Sequence, residues 1–133
     1  MNVVLMLQGG EVVKMRATNT SVLIADDSRE LTAALAVWFR ARGIVAHTVS
    51  SGDVALSRVA AVKPTLALID LCMPGVSGWE VARRIRALPL ETQPFLVAIS
   101  GLSDPVLRTR ALTAGFDRYF VKPLDLALLS ELL

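Results

Sequence analysis

From Ser21 onward, short runs of β-branched and aliphatic residues alternate five times with longer segments whose apolar residues recur at helical spacing. That alternation allows few folds. Strands separated by helix-length segments pair side by side in parallel, because the intervening helix carries the chain back across the sheet. The predicted class is therefore α/β with a parallel sheet. The strands fall at 22–25, 45–49, 65–69, 95–99 and 119–121, and the helices at 28–42, 52–62, 78–88, 104–114 and 125–132. The first helix carries its own punctuation: Asp27 or Ser28 as cap, Leu31, Leu35 and Trp38 on one face with Phe39 beside them, and Gly43 as the stop. Strands one and three are almost wholly apolar, as central strands covered on both faces must be, so they are expected to be neighbours.

A chain of 133 residues is one domain in size. Hydrophobic residues make up 53% of it, yet the longest unbroken apolar run, 33–39, is far short of the roughly 18 residues that span a bilayer. The apolar content belongs to a core, and no membrane partner is expected. Residues 1–7 lack the basic leader and cleavage site of a signal peptide. Cys72 is the one cysteine, which forbids an internal disulfide and matches no metal-ligand pair. These features point to the cytoplasm. The net charge of +2 is a weak bias, and Arg83, Arg84 and Arg86 read as a solvated helix face, so direct nucleic-acid binding is not expected. Residues 1–20 stand outside the alternating pattern as an N-terminal extension, either an added strand or a disordered tail. The domain proper is 21–133.

In open parallel sheets, ligands bind beyond the carboxyl ends of the central strands. The predicted strands place Asp26 and Asp27 after strand one, Asp70 at the end of strand three, Ser100 at the end of strand four and Lys122 at the end of strand five. Three carboxylates within about 5 Å repel by several kcal/mol per pair at an effective dielectric near 20, so they need a cation or a proton to coexist. A hard divalent ion such as Mg²⁺ suits oxygen ligands and leaves positions for phosphate oxygens. With it, Asp70 could attack a phosphoryl group, while Ser100 and Lys122 neutralise the transferring charge. Each element also has a plainer reading: Asp26-Asp27 as a helix cap, Ser100-Gly101 as a turn, Lys122-Pro123 as a helix start. Their coincidence at four strand ends favours chemistry.

The motifs that carry these residues are 24–28 (IADDS), 68–75 (LIDLCMPG) followed by Gly78, 98–101 (AISG), 114–117 (AGFD) and Lys122-Pro123. Asp27, Asp70, Ser100 and Lys122 lie 43, 30 and 22 residues apart in turn. In motifs and spacing the chain resembles response-regulator receiver domains over 21–133. The resemblance implies a flavodoxin-like, doubly wound (βα)5 fold of strand order 2-1-3-4-5, with Asp70 as phosphoacceptor. It implies Mg²⁺ held by Asp27, Asp70 and the backbone carbonyl of Cys72, with Asp26 acting largely through water. Lys122 would hold the phosphoryl group, and its peptide bond to Pro123 would be cis.

Ser100 and Tyr119 would form the switch that reshapes the face made by helix four, strand five and helix five. The implied partners are a histidine kinase or histidine phosphotransfer protein as donor and a protein effector on that face. A homodimer is left open, as is the choice between a single-domain regulator and the receiver of a hybrid histidine kinase.

Several residues carry weaker expectations. Leu102, two residues past Ser100, is apolar and cannot orient an attacking water, which predicts slow loss of the phosphoryl group. Cys72 is expected to be an ordinary buried thiol, His47 structural, and Trp79 a core residue beside the site. Without the motif, Tyr119 would read as a partly exposed strand aromatic. Two competing functions remain: a docking module of the same fold that works without phosphorylation, and a haloacid-dehalogenase-type phosphatase. The latter needs an acid two residues after its nucleophile, where this chain has Cys72.

Overall fold

The computed structural model describes residues 20–133. The expectation for the N-terminal extension therefore lies, Thr20 apart, outside the described residues. Five strands and five helices alternate: β1 (Ser21–Ala25), α1 (Arg29–Arg40), β2 (Val45–Val49), α2 (Gly52–Val62), β3 (Leu66–Asp70), α3 (Gly78–Ala87), β4 (Phe95–Ser100), α4 (Pro105–Ala114), β5 (Arg118–Val121) and α5 (Leu126–Ser130). Every strand pairing is parallel, and the order is β2-β1-β3-β4-β5, the doubly wound arrangement expected.

The period-two alternation of the strands divides the core between two helical layers. Leu23, Ala25, Ala67, Ile69, Leu96, Ala98 and Tyr119 face one side, where Ala55 and Val59 of α2, Val81, Ala82 and Ile85 of α3 and Ala111 of α4 close over them. Val22, Ile24, Leu66, Leu68, Val97, Ile99 and Phe120 face the other, under Leu35, Ala36 and Phe39 of α1 and Leu129 of α5. β1 and β3 are central, and all of their apolar residues are buried, which explains why neither strand shows a polar alternation in sequence.

Element ends differ from expectation by one or two residues, with local causes. α1 stops at Arg40 rather than Arg42, because Gly43 takes φ +79° and Ile44 N–H turns back to the Phe39 carbonyl. That turn drops Ile44 into the core. α5 is five residues rather than eight, and a turn after Glu131 lets Leu132 pack inward. Of the two caps offered for α1 it is Ser28 that serves, and Ser51, Ser77, Asp104 and Asp125 do the same for the other helices, each accepting a backbone N–H of the first turn.

One close approach fixes the loop that follows β3. α3 begins against the backbone of the strand end, with Gly78 N–H donating to the Leu71 carbonyl at 3.1 Å. A Cβ on Gly78 would stand 2.4 Å from the Asp70 carbonyl oxygen, so only glycine fits there.

Candidate functional site

At the carboxyl ends of β1 and β3 the side chains of Asp26, Asp27 and Asp70 come together, one oxygen from each lying within 4.8 Å of the others. Asp26 and Asp70 are buried, at 1% and 5% exposure, whereas Asp27 faces solvent. The cap of α1 is Ser28, not Asp27, so Asp27 is free to serve the cluster. Asp26 is held by its own turn: Oδ1 accepts the Ser28 N–H at 2.9 Å. Asp70 is fixed likewise, its Oδ1 accepting the Cys72 N–H at 3.2 Å.

Lys122 reaches the cluster from the end of β5. Its Nζ is 2.8 Å from Asp26 Oδ2 and 3.4 Å from Asp70 Oδ2, and its backbone N–H donates to the Ser100 carbonyl at 2.7 Å. The peptide bond from Lys122 to Pro123 is cis. Pro123 lies outside α5, whose cap is Asp125, so the plain reading of Lys122-Pro123 as a helix start does not hold. Proline takes the first helical position in α4 instead, at Pro105.

Burial pushes the Asp70 carboxyl above its ordinary pKa, with Asp26 adding to the effect; the Cys72 N–H and Lys122 oppose them without prevailing. Burial works against the charge of Lys122, but contact with Asp26 and Asp70 outweighs it and holds the ammonium above its ordinary value. Although Lys122 is near, Asp26 Oδ2 receives no hydrogen bond of good geometry among the described residues. A buried carboxylate oxygen in that condition is costly unless something else satisfies it. The donor set is all oxygen, and two of its three carboxylates are buried, which is the chemistry that a hard divalent ion fits.

Ser100 is buried beside this cluster, and its Oγ accepts the Leu102 N–H at 3.0 Å. The turn reading of Ser100 is thus realised, and the residue stands at the same strand edge as the acids. Tyr119 is 4% exposed, not the partly exposed aromatic that strand position alone suggested. Its ring packs with the core under α4, and its hydroxyl donates to the Leu102 carbonyl. The peptide groups around Leu102 therefore tie Ser100 to Tyr119, and the Leu102 side chain itself is 60% exposed.

Two other expectations are corrected. Cys72 is exposed rather than buried: it stands between Leu71 and Met73, which both point into the core, so alternation turns the thiol outward. Arg86 does not belong to a solvated face. Arg83 and Arg84 pair with Glu80 in solvent, but Arg86 bonds the carbonyls of Gly115 and Pro94, the Gln93 amide oxygen and Asp117 Oδ2. A cleft of about 770 Å³ runs along this clamp, lined by Arg86, Leu90, Gln93, Phe95, Leu112 and Asp117 among others; it shares no residue with the acid cluster.

Trp79 packs against the core as expected, with the Arg110 guanidinium 4.7 Å over its ring. His47 is half-buried on β2 and does not join the acid cluster.

Comparison with known proteins agrees with the fold. The family model described as the response regulator receiver domain matches residues 22–133. The phosphate regulon transcriptional regulatory protein PhoB of Rhizobium meliloti is 31% identical over 102 residues, 77% of this chain and 45% of that protein. The chain thus spans under half the length of the curated relatives it matches.

Among solved structures, a two-component response regulator from Clostridium difficile superposes with a TM-score of 0.79 at 23% identity. It covers 84% of this chain and 90% of that one. A chain from the co-crystal of the Saccharomyces cerevisiae histidine phosphotransfer protein Ypd1 with the receiver domain of Ssk1 gives 0.78 at 25% identity, covering 84% of each.

Proposed function

The chain belongs to the response regulator receiver domain family of two-component signalling, and from that premise we propose that Asp70 is its phosphoacceptor. The observation that carries the proposal is the meeting of Asp26, Asp27 and Asp70 at one strand edge with Lys122 Nζ between two of them. The acting unit is residues 21–133, working in the cytoplasm. Its donor is the phosphohistidine of a histidine kinase or histidine phosphotransfer protein. Ypd1 is such a protein for the Ssk1 receiver.

Asp26, Asp27, Asp70 and the Cys72 carbonyl would hold Mg²⁺, which when bound offsets the charge of the acids and of the incoming phosphoryl oxygens. The rest falls to the chain itself. The Cys72 N–H on Oδ1 leaves Oδ2 of Asp70 as the atom to attack phosphorus in line with the leaving imidazole. The new bond is Asp70 Oδ2 to phosphorus, and the bond broken is phosphorus to donor nitrogen. Lys122, anchored through its backbone to Ser100, is within reach of an oxygen on that phosphoryl group.

Ser100 supplies the switch. If its hydroxyl turns to the phosphoryl group, the Leu102 N–H loses its acceptor, and the Tyr119 bond to the Leu102 carbonyl is disturbed in turn. The exposed Leu102, Val106, Leu126 and Leu128 belong to the face of α4, β5 and α5, where a protein effector docks. Tyr119 is already inward in this structure, so the signal is carried by the 101–104 loop rather than by an outward-to-inward swing of the ring.

The test is incubation with acetyl phosphate and Mg²⁺, with intact mass followed over time for wild type and Asp70→Asn. A single Mg²⁺-dependent phosphoryl adduct confined to wild type is the expected result. Absence of any adduct in wild type, with Mg²⁺ binding shown separately, would point to docking without phosphorylation.

A further inference from the structure

At the end of the sheet opposite the acids, β1, β3 and β4 begin side by side. Thr65 N–H donates to the Ser21 carbonyl at 3.0 Å, and Phe95 N–H to the Thr65 carbonyl at 2.9 Å. The Thr65 hydroxyl adds to the link, accepting the Ser21 N–H at 3.1 Å and donating to the Ser21 carbonyl at 2.8 Å. Thr65 and Phe95 are also walls of the cleft of about 770 Å³ beside Arg86, so β1 starts at the rim of that cleft. Thr20, just ahead of it, is already buried at 3% exposure. The cleft is large enough to enclose a ligand or several side chains, and its apolar wall includes Leu90 and the 48%-exposed Leu112 of α4. Its charges are of both signs. Arg86 and Asp117 are spent on each other, while the exposed Lys63 and Glu91 have no ion pair among the described residues.

The sequence just ahead of β1 has the matching chemistry. It runs Glu11, Val12, Val13, Lys14, Met15, Arg16: three apolar side chains for the apolar wall, an acid for Lys63 and two bases for Glu91. Met15 is five residues ahead of Thr20, a reach of up to roughly 17 Å when extended. So short a tether gives the segment an effective concentration at the cleft on the order of millimolar, and contacts too weak to recruit a free partner are then enough.

We propose that the cleft at the start of β3 and β4 is the docking site of the chain's own segment 11–16, which lays Val12, Val13 and Met15 against Leu90, Phe95 and Leu112 and sets its charges against Lys63 and Glu91. The surface is remote from the acid cluster and independent of the phosphoryl chemistry. Because Leu112 lies in the last turn of α4, the docked segment braces that helix.

The experiment is hydrogen exchange of the full chain, read by mass spectrometry. The amides of residues 12–16 are expected to exchange at least about tenfold more slowly than in a free peptide of the same sequence, at every protein concentration tried. Leu112→Asp is expected to abolish that protection, and Val37→Asp, at a more exposed apolar site on α1, to leave it intact. The amides of β1 and β3, followed in the same run, report whether each variant is folded. Should Leu112→Asp fail to fold, Val13→Asp probes the same contact from the segment, with the same loss expected at its neighbours.

A second measurement needs no variant. A zero-length carbodiimide is expected to join Lys14 to Glu91 within one chain. Unprotected amides at 12–16 with no such cross-link overturn the proposal. Protection that survives Leu112→Asp in a folded protein also overturns it, by placing the segment elsewhere, such as the open edge of β2. Cross-links that join isotope-labelled to unlabelled chains overturn it in favour of a second copy as the occupant.

Discussion

Replacing Asp70 by asparagine should make the protein more stable at neutral pH, although it removes the residue on which the proposed function depends. The charges around Asp70 nearly cancel. Asp26, within 4.8 Å, repels it by about 3.5 kcal/mol at an effective dielectric of 20, and the exposed Asp27, screened by water, adds roughly 1 kcal/mol. Lys122, 3.4 Å away, returns about 5 kcal/mol on the same scale. What remains is the cost of burying a carboxylate, eased by one N–H from Cys72 that an asparagine oxygen can still accept. The balance favours asparagine by about 1–2 kcal/mol, or roughly 3–8 °C in a domain of this size.

The pH dependence has a definite sign. Since burial holds the folded Asp70 pKa above its ordinary value of 3.8, the folded state keeps that proton more tightly than the unfolded state. The gap between variant and wild type is therefore absent below the ordinary value and develops as pH rises through the folded one. The assay is thermal and urea unfolding of both proteins in chelator, at pH 7 and at the lowest pH where both stay folded. Saturating Mg²⁺ should close or reverse the gap, because it stabilises the form that keeps all three ligands. A variant less stable than wild type at pH 7 in chelator would refute the reasoning, since Lys122 would then outweigh burial and repulsion together.

Arg86→Ala should cost about 1–3 kcal/mol in urea unfolding, because it removes the donor to the Gly115 and Pro94 carbonyls and leaves Asp117 Oδ2 with the Leu96 N–H alone; a loss under about 0.5 kcal/mol, the scatter of surface substitutions, would show the clamp to be ornamental. Gly78→Ala should lose about 1–3 kcal/mol, since the added Cβ meets the Asp70 backbone at 2.4 Å, and its phosphorylation by acetyl phosphate should slow because the strand end shifts. Phosphorylated wild type should lose its phosphoryl group slowly, and Leu102→Asn should speed that loss by roughly tenfold, because an exposed polar side chain can orient water where leucine cannot. Intact mass against time decides that last point, and equal lifetimes would remove Leu102 from the account.

The fold was legible because each strand combines two signals that agree. A continuous apolar run marks a strand covered on both faces, so that neighbours such as Leu23 and Ile24 enter opposite layers, and the helix-length gaps force parallel pairing. The acid cluster was legible because strand ends are where a polar residue after an apolar run must emerge. Arg86 was misread because three nearby arginines look like one face. In a helix, however, Arg86 is turned about 200° from Arg84, which carries it to Gly115 and Asp117. The inward Tyr119 was hidden for a different reason: its cover is Ala111 and its hydroxyl partner is a backbone carbonyl. Neither leaves a mark in composition.

These placements explain why the site can be unstable and still be kept. The acids are held by bonds that do not depend on their neighbours: Asp26 through Ser28, Asp70 through Cys72, and the β3 end through Gly78. Their repulsion therefore cannot be relieved by turning side chains away. It can be relieved only by adding positive charge, and Lys122 is the one cation within ion-pair distance of these acids among the described residues. The same lysine is joined through Ser100 to Leu102, and through Leu102 to Tyr119. A change of charge at the acids thus has a short, bonded route to the exposed apolar residues of α4. The burial cost of Asp70 and the unsatisfied Asp26 Oδ2 are what make that route responsive, because an arriving phosphoryl group changes the charge that Lys122 must balance.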